Sequence, residues 1–175
     1  MIVGEQPGNQ EDLQGHPFVG PAGHLLNELF DELNIPVDEI YVTNAVKHFK
    51  WKPVGKVRLH QRPSSDEIAA CKPWLESEAR AVRPDVILCL GATAARSVVG
   101  KITLIGSSRG QTLSSELSST IMISWHPSAI LRAPDEKSRA QKRAELKADL
   151  KRAWSKTKSP THPSRHLEAP IQIPS

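Results

Sequence analysis

Five polar side chains of types that handle protons or heterocycles stand just past apolar runs in this sequence. Glu5 and Gln6 follow Met1-Ile2-Val3 and a glycine, Asn44 lies at the end of Ile40 to Ala45, and His126 and Ser128 follow Thr120 to Trp125. A carboxylate at Glu5 can orient a water or stabilise a cationic sugar. The Asn44 amide donates and accepts at once, which matches the Watson–Crick edge of a pyrimidine. His126 can place a hydrogen bond or charge on a departing base's carbonyl oxygen, and Phe18 can stack on a base drawn out of its strand. Each has an ordinary alternative: a turn-forming Asn, a core Phe, a loop-capping Glu, a His that satisfies backbone. Gathered at three strand ends, they favour recognition and cleavage at a heterocycle.

A second feature is the stretch from Lys47 to Arg62. It holds six cations (Lys47, Lys50, Lys52, Lys56, Arg58 and Arg62) and no carboxylate, with Phe49, Trp51, His48 and His60 interleaved. Cations alternating with aromatics suit phosphates and unstacked bases, although a solvated charge run has the same look. The spacing predicts a long basic loop.

Strands and helices must alternate to position these groups. Met1 to Val3 reads as the tail of a buried strand, Gly4 to Gly8 as a sharp loop, and Asn9 to Pro21 as further loop. A helix is predicted from Ala22 to Asn34, with Leu25, Leu26, Leu29, Phe30 and Leu33 on one face. Another begins with a hydroxyl cap at Pro63-Ser64-Ser65 and runs to Val82, its inner stripe being Ile68, Cys71, Leu75, Ala79 and Val82. Val86 to Leu90 is a buried strand, followed by a short helix to Val99. Residues 102–117 suggest an edge ribbon around Gly106 and Gly110. Ser138 to Trp154 is a last helix, and residues 155–175 predict a disordered tail. The order implies one domain over residues 1–154, a three-layer α/β/α sandwich around a central parallel sheet.

A chain of 175 residues can bury a proper core, and its net charge of +4 mildly favours a polyanionic partner. No apolar run approaches a membrane span. Two cysteines, Cys71 and Cys89, are too few for a disulfide framework, so a reducing cytoplasm is the expectation. The three-residue first strand predicts that the beginning of the chain is missing.

Gly4-Glu5-Gln6-Pro7-Gly8, Pro17-Phe18-Val19-Gly20-Pro21-Ala22-Gly23, Thr43-Asn44-Ala45-Val46-Lys47-His48 and His126-Pro127-Ser128 together resemble the uracil-DNA glycosylase superfamily. They look most like its iron–sulfur branch, and within it the UdgX-type uracil-DNA-binding proteins. Gln6 and the loop Lys56-Val57-Arg58-Leu59-His60 point to that type, whose loop is of the K-R-R-I-H kind. The resemblance implies that Phe18 stacks on a flipped uracil, that Asn44 and Gln6 contact the base, that His126 supports its leaving charge and that Glu5 assists an oxocarbenium-like sugar. It also implies that His60, positioned by Arg58, replaces water, attacks the anomeric carbon and leaves the protein covalently bound to DNA. The implied partner is uracil-containing single-stranded DNA, met by a monomer.

Departures from the pattern bear on this. Val57 and Leu59 stand where Arg and Ile are frequent, and Asn9 where an acid is frequent. The branch holds a [4Fe–4S] cluster on four cysteines; Cys71 and Cys89 match two, the amino-terminal pair is absent, and two thiolates cannot hold the cluster alone. Two rival readings remain open: a multiple-turnover glycosylase in which Glu5 activates water, and a non-catalytic single-strand-binding module. A phosphate binder built on Gly4 to Gly8 is disfavoured, because the loop lacks the G-x-G-x-x-G spacing and a P-loop lysine.

Overall fold

A computed structural model describes residues 1–100 and 105–157. Five strands form one sheet in the order β2-β1-β5-β7-β6, where β1 is Ile2–Gly4, β2 Val42–Asn44, β5 Ile87–Leu90, β6 Leu113–Ser115 and β7 Ser118–Ser124. The first four of these positions pair in parallel, and β6 lies antiparallel on β7 at the edge. Successive strand residues point to opposite faces, and both faces are covered, so the strands read as unbroken apolar runs. Ile2, Leu88, Leu90 and Met122 meet α2 (Pro21–Leu33) and α7 (Glu136–Ser155) through Leu26, Leu29, Phe30, Leu146 and Leu150. Val3, Ile87, Cys89, Ile121 and Ile123 meet Leu75 of α3 (Ser65–Val82) and Ala94, Ala95 and Val98 of α4 (Ala92–Val99). This is the three-layer α/β/α sandwich.

The longer helices start where capping chemistry places them. Ser64 Oγ accepts from the Glu67 N–H at 3.2 Å while Glu67 Oε2 accepts from the Ser64 N–H at 2.6 Å, a reciprocal cap on α3. Asp135 caps α7, which begins at Glu136, two residues before the predicted start. On α3 the expected inner stripe holds through Ala79, but Val82 is 37% exposed because the helix ends there, at Arg83 in the left-handed conformation.

Two predicted loops are ordered secondary structure instead. Asn9–Gln14 forms α1, a helix with no buried residue and hence no apolar period to announce it. The Glu11 carboxylate closes the segment around it by accepting from the N–H groups of Gly8 (3.1 Å) and Gly20 (2.8 Å). The basic stretch is a β-hairpin of β3 (Trp51–Val54) and β4 (Val57–His60), turning at Gly55 with φ 58°. The edge ribbon exists, but as β6 and β7; Gly106 lies in the short α5 (Ile105–Ser108). A further short helix, α6 (Pro127–Leu131), follows β7. The start of the predicted ribbon (residues 102–104) and most of the predicted tail (158–175) lie outside the described residues, while α7 itself continues to Ser155.

One buried charge ties the last helices to the sheet. Asp149 of α7 is fully enclosed and accepts from Arg109 (3.0 Å), Ser124 Oγ (2.7 Å) and Arg152 (3.4 Å). Removing one partner of a buried pair leaves the other charge desolvated and uncompensated. Asp149→Ala is therefore expected to lower unfolding free energy by about 3–5 kcal/mol in urea titrations; a change of a few tenths would contradict this placement.

Candidate active site

Parallel pairing brings the carboxyl ends of β1, β2 and β7 to one side of the sheet, the usual position for chemistry in open α/β folds. Gly4 pairs with Asn44, and the bare Gly4 Cα is what lets two site residues close over it: a Cβ there would collide with Asn44 Oδ1 and lie 2.7 Å from Phe18 Cζ. Phe18 has φ 55°, and its backbone packs so closely on Gly23 of α2 that a Cβ at Gly23 would overlap the Phe18 carbonyl. The Phe18 ring then stacks against His126, with centroids 5.9 Å apart and planes inclined at 29°. Asn44 is buried, and its amide has no hydrogen-bond partner among the described residues. It borders a cleft of about 300 Å³ whose other walls include Pro7, Asp12, His16 and Pro17.

His126 is held as a neutral donor. Its Nδ1 accepts from the Ser128 N–H at 3.2 Å and lies 2.8 Å from Ser128 Oγ, which in turn accepts from Arg132 at 3.1 Å. With Nδ1 accepting, the ring proton belongs on Nε2. Burial first, then the electrostatic influence of Arg132 and of the nearby His60, push its pKa down to about 4. At neutral pH it offers an uncharged N–H.

The hairpin carries the other half of the site. Cross-strand register puts Trp51 opposite His60 and Pro53 opposite Arg58, so these four share one hairpin face. Arg58 stacks over Phe49 (5.3 Å) and Trp51 (5.5 Å) and donates to Asn9 Oδ1 (2.7 Å) and Asp12 Oδ2 (2.6 Å), clamping the hairpin to α1. Gln6 anchors the stem: its Oε1 accepts from the Lys50 N–H (3.3 Å) while its Nε2 donates to the Gln61 carbonyl (3.0 Å). The same Nε2 lies 2.8 Å from His60 Nε2. Because Gln6 is the donor, His60 Nε2 carries a lone pair and the neutral ring is protonated at Nδ1. The other neighbour of His60 Nε2 is Glu5 Oε1, 3.5 Å away. Glu5, Gln6 and His60 thus form one cluster, with His126 and Phe18 beside it. Gln6, expected to contact the base, has its amide engaged by the hairpin.

The six cations divide. Lys47 Nζ is engaged by Thr43 Oγ1, the Asn44 carbonyl and Glu78 at 2.6–2.8 Å, and Lys50 is paired with Glu67 at 2.7 Å. Arg58 is the hairpin clamp. Lys52, Lys56 and Arg62 are exposed and have no ion pair among the described residues.

The cysteines do not fit an iron–sulfur cluster. Cys71 lies on α3 with the Lys47 N–H at 3.4 Å and His48 Nδ1 at 3.9 Å, whereas Cys89 is fully buried on β5 among the aliphatic side chains between the sheet and α3 and α4, where burial pushes its thiol pKa far up. They belong to separate apolar clusters, and among the described residues no three His, Cys, Asp or Glu side chains converge as metal ligands.

Sequence reasoning left one strand end empty. The turn after β5 inserts Thr93, 2% exposed, whose Oγ1 donates to Glu5 Oε2 at 2.6 Å. A threonine 88 positions from its partner gives no local signal. Asn9 and Asp12, which receive Arg58, were hidden the same way.

Comparison with known proteins agrees with this geometry. The chain is 38% identical over 133 residues to the type-4 uracil-DNA glycosylase of Thermotoga maritima, covering 75% of this chain and 66% of that one. It is 33% identical over 141 residues to the type-4 enzyme of Archaeoglobus fulgidus, covering 77% and 67%. The chain thus spans about two-thirds of the length of these relatives. The crystal structure of Pedobacter heparinus SMUG2 superposes with a TM-score of 0.60 at 12% identity, over 88% of this chain and 75% of that one, a likeness of fold. Residues 1–151 match the uracil DNA glycosylase superfamily, and the chain belongs to that family.

Proposed function

We propose that this protein excises uracil from single-stranded DNA and captures the resulting sugar on His60. The activity is suggested by the type-4 relatives, and the capture rests on one observation: the hairpin delivers the lone-pair nitrogen of His60 to within 3.5 Å of the Glu5 carboxylate, the position a hydrolytic water would need. In this reading the flipped uracil enters between the Phe18 ring and the free Asn44 amide. The N-glycosidic bond breaks with both electrons passing to the base, and the His126 Nε2–H donates to the carbonyl oxygen where charge develops. Glu5 steadies the cationic sugar. His60 Nε2 forms the bond to the anomeric carbon, and the imidazolium so made gives up its Nδ1 proton, balancing the one the uracil anion takes up. Lys52, Lys56 and Arg62 hold flanking phosphates. No step passes through a cluster.

A labelled uracil-containing single strand is expected to give a protein–DNA band that survives denaturant and heat, absent with thymine. His60→Ala is expected to abolish the band while free uracil is still released, and repeatedly. Multiple-turnover uracil release by the unaltered protein with no band would make this an ordinary glycosylase; reversible, salt-sensitive binding with no base release would make it a binding module.

His126 supplies a pH test. A histidine whose folded pKa is about 4 against an unfolded value near 6.5 makes the unfolded chain bind more protons between those values, so stability rises with pH across that window. Unfolding free energy is expected to fall as pH drops from 6.5 towards 4, and His126→Asn is expected to flatten that slope while slowing excision at pH 7 by about 10²–10³-fold. An unchanged slope in the variant would contradict the assignment.

A further inference from the structure

The turn between β5 and α4 lies among the site residues yet carries none of those the sequence pointed to. Gly91 has φ 92°, donates to the Ser124 carbonyl at 3.0 Å, and faces His126, whose Cβ would be 3.3 Å from a Cβ added there. Two residues on, Thr93 turns its hydroxyl to Glu5 Oε2 at 2.6 Å. The turn cannot easily shift: Ala94, Ala95 and Val98 of α4 are buried against the sheet at 0–4% exposure, and Thr93 itself is enclosed. Glu5, by contrast, sits on a loop with its side chain 26% exposed, and its other oxygen faces His60. A carboxylate on a loop has rotational freedom; a hydroxyl on a packed helix does not.

We propose that Thr93 is a positioning residue for Glu5. By holding Oε2 it directs Oε1 toward His60 Nε2 and the place of the anomeric carbon, so that the carboxylate is aligned before substrate arrives. The proposal rests on the glycosylase reading above and adds to it the residue that fixes the geometry of the carboxylate. Thr93 touches no reacting atom; it acts through Glu5.

The test compares Thr93→Val, which keeps the shape and removes the donor, with Thr93→Ser, which keeps the donor. Single-turnover uracil release and equilibrium binding to the uracil-containing strand are measured for both, and for Thr93→Val in a Glu5→Gln background. A hydrogen bond to a charged group is strong enough that Thr93→Val is expected to slow release at least about tenfold. Binding is expected to stay within about twofold, because the substrate's own contacts are untouched. Thr93→Ser is expected to retain most of the rate, and in the Glu5→Gln background the valine change is expected to cost little further. A full-rate Thr93→Val protein overturns the proposal alone. So does a loss that serine does not rescue, or one of equal size without Glu5, since either marks a packing role. An unaltered protein that releases no uracil overturns the glycosylase reading and this proposal with it.

Discussion

Three residues of parallel pairing, Ile2 with Val42, Val3 with Thr43 and Gly4 with Asn44, decide which side chains can meet in this molecule. On its other side β1 pairs with β5, so the loop after Gly4 opens between the ends of two neighbouring strands. A slip of one residue would turn Val3 and Thr43 to the wrong faces and carry Asn44 away from Gly4. The buried alternation of Ile2 and Val3 against two different helix layers is what forbids the slip. From that register follow the closure of Phe18 and Asn44 over the glycine, the approach of Glu5 to Thr93, and the stacking of Phe18 on His126.

The hairpin is a separate construction laid onto this frame. Two short strands alone are marginal in water, and one face of this hairpin exposes Val54, Val57 and Leu59 to solvent. Its placement comes from polar bonds: Arg58 spanning to α1, Gln6 filling the stem, and Lys50 reaching Glu67 at the start of α3. Three of the six cations in the basic stretch thus have defined partners within the protein, Lys50 one carboxylate and Lys47 and Arg58 several groups each. The hydrogen bond from Gln6 also sets the tautomer of His60, because a donor at His60 Nε2 keeps a lone pair on the nitrogen that faces Glu5.

What could be read beforehand followed from periodicity and strand ends. The apolar stripes of α2 and α3 and the unbroken runs of β5 and β7 carried their own signal, and Glu5, Asn44 and His126 stood out as polar groups directly after such runs. The hairpin did not, because its alternation of Val54, Val57 and Leu59 faces solvent, and Pro53, Gly55 and the lysines look like loop. The helix α1 did not, because Leu13 is 68% exposed and nothing in it is buried. Contacts such as Gln6 with Gln61, Arg58 with Asp12 and Thr93 with Glu5 span 46 to 88 positions, and their partners become legible only when the fold closes.

Peptide mapping by mass spectrometry, on protein incubated with a uracil-containing single strand and then digested with nuclease and protease, addresses the central claim most directly. A deoxyribose-phosphate adduct on the peptide containing His60, with fragment ions placing it on that residue, is the predicted result. An adduct on any other residue, or unmodified His60 in protein that has released stoichiometric uracil, would contradict it.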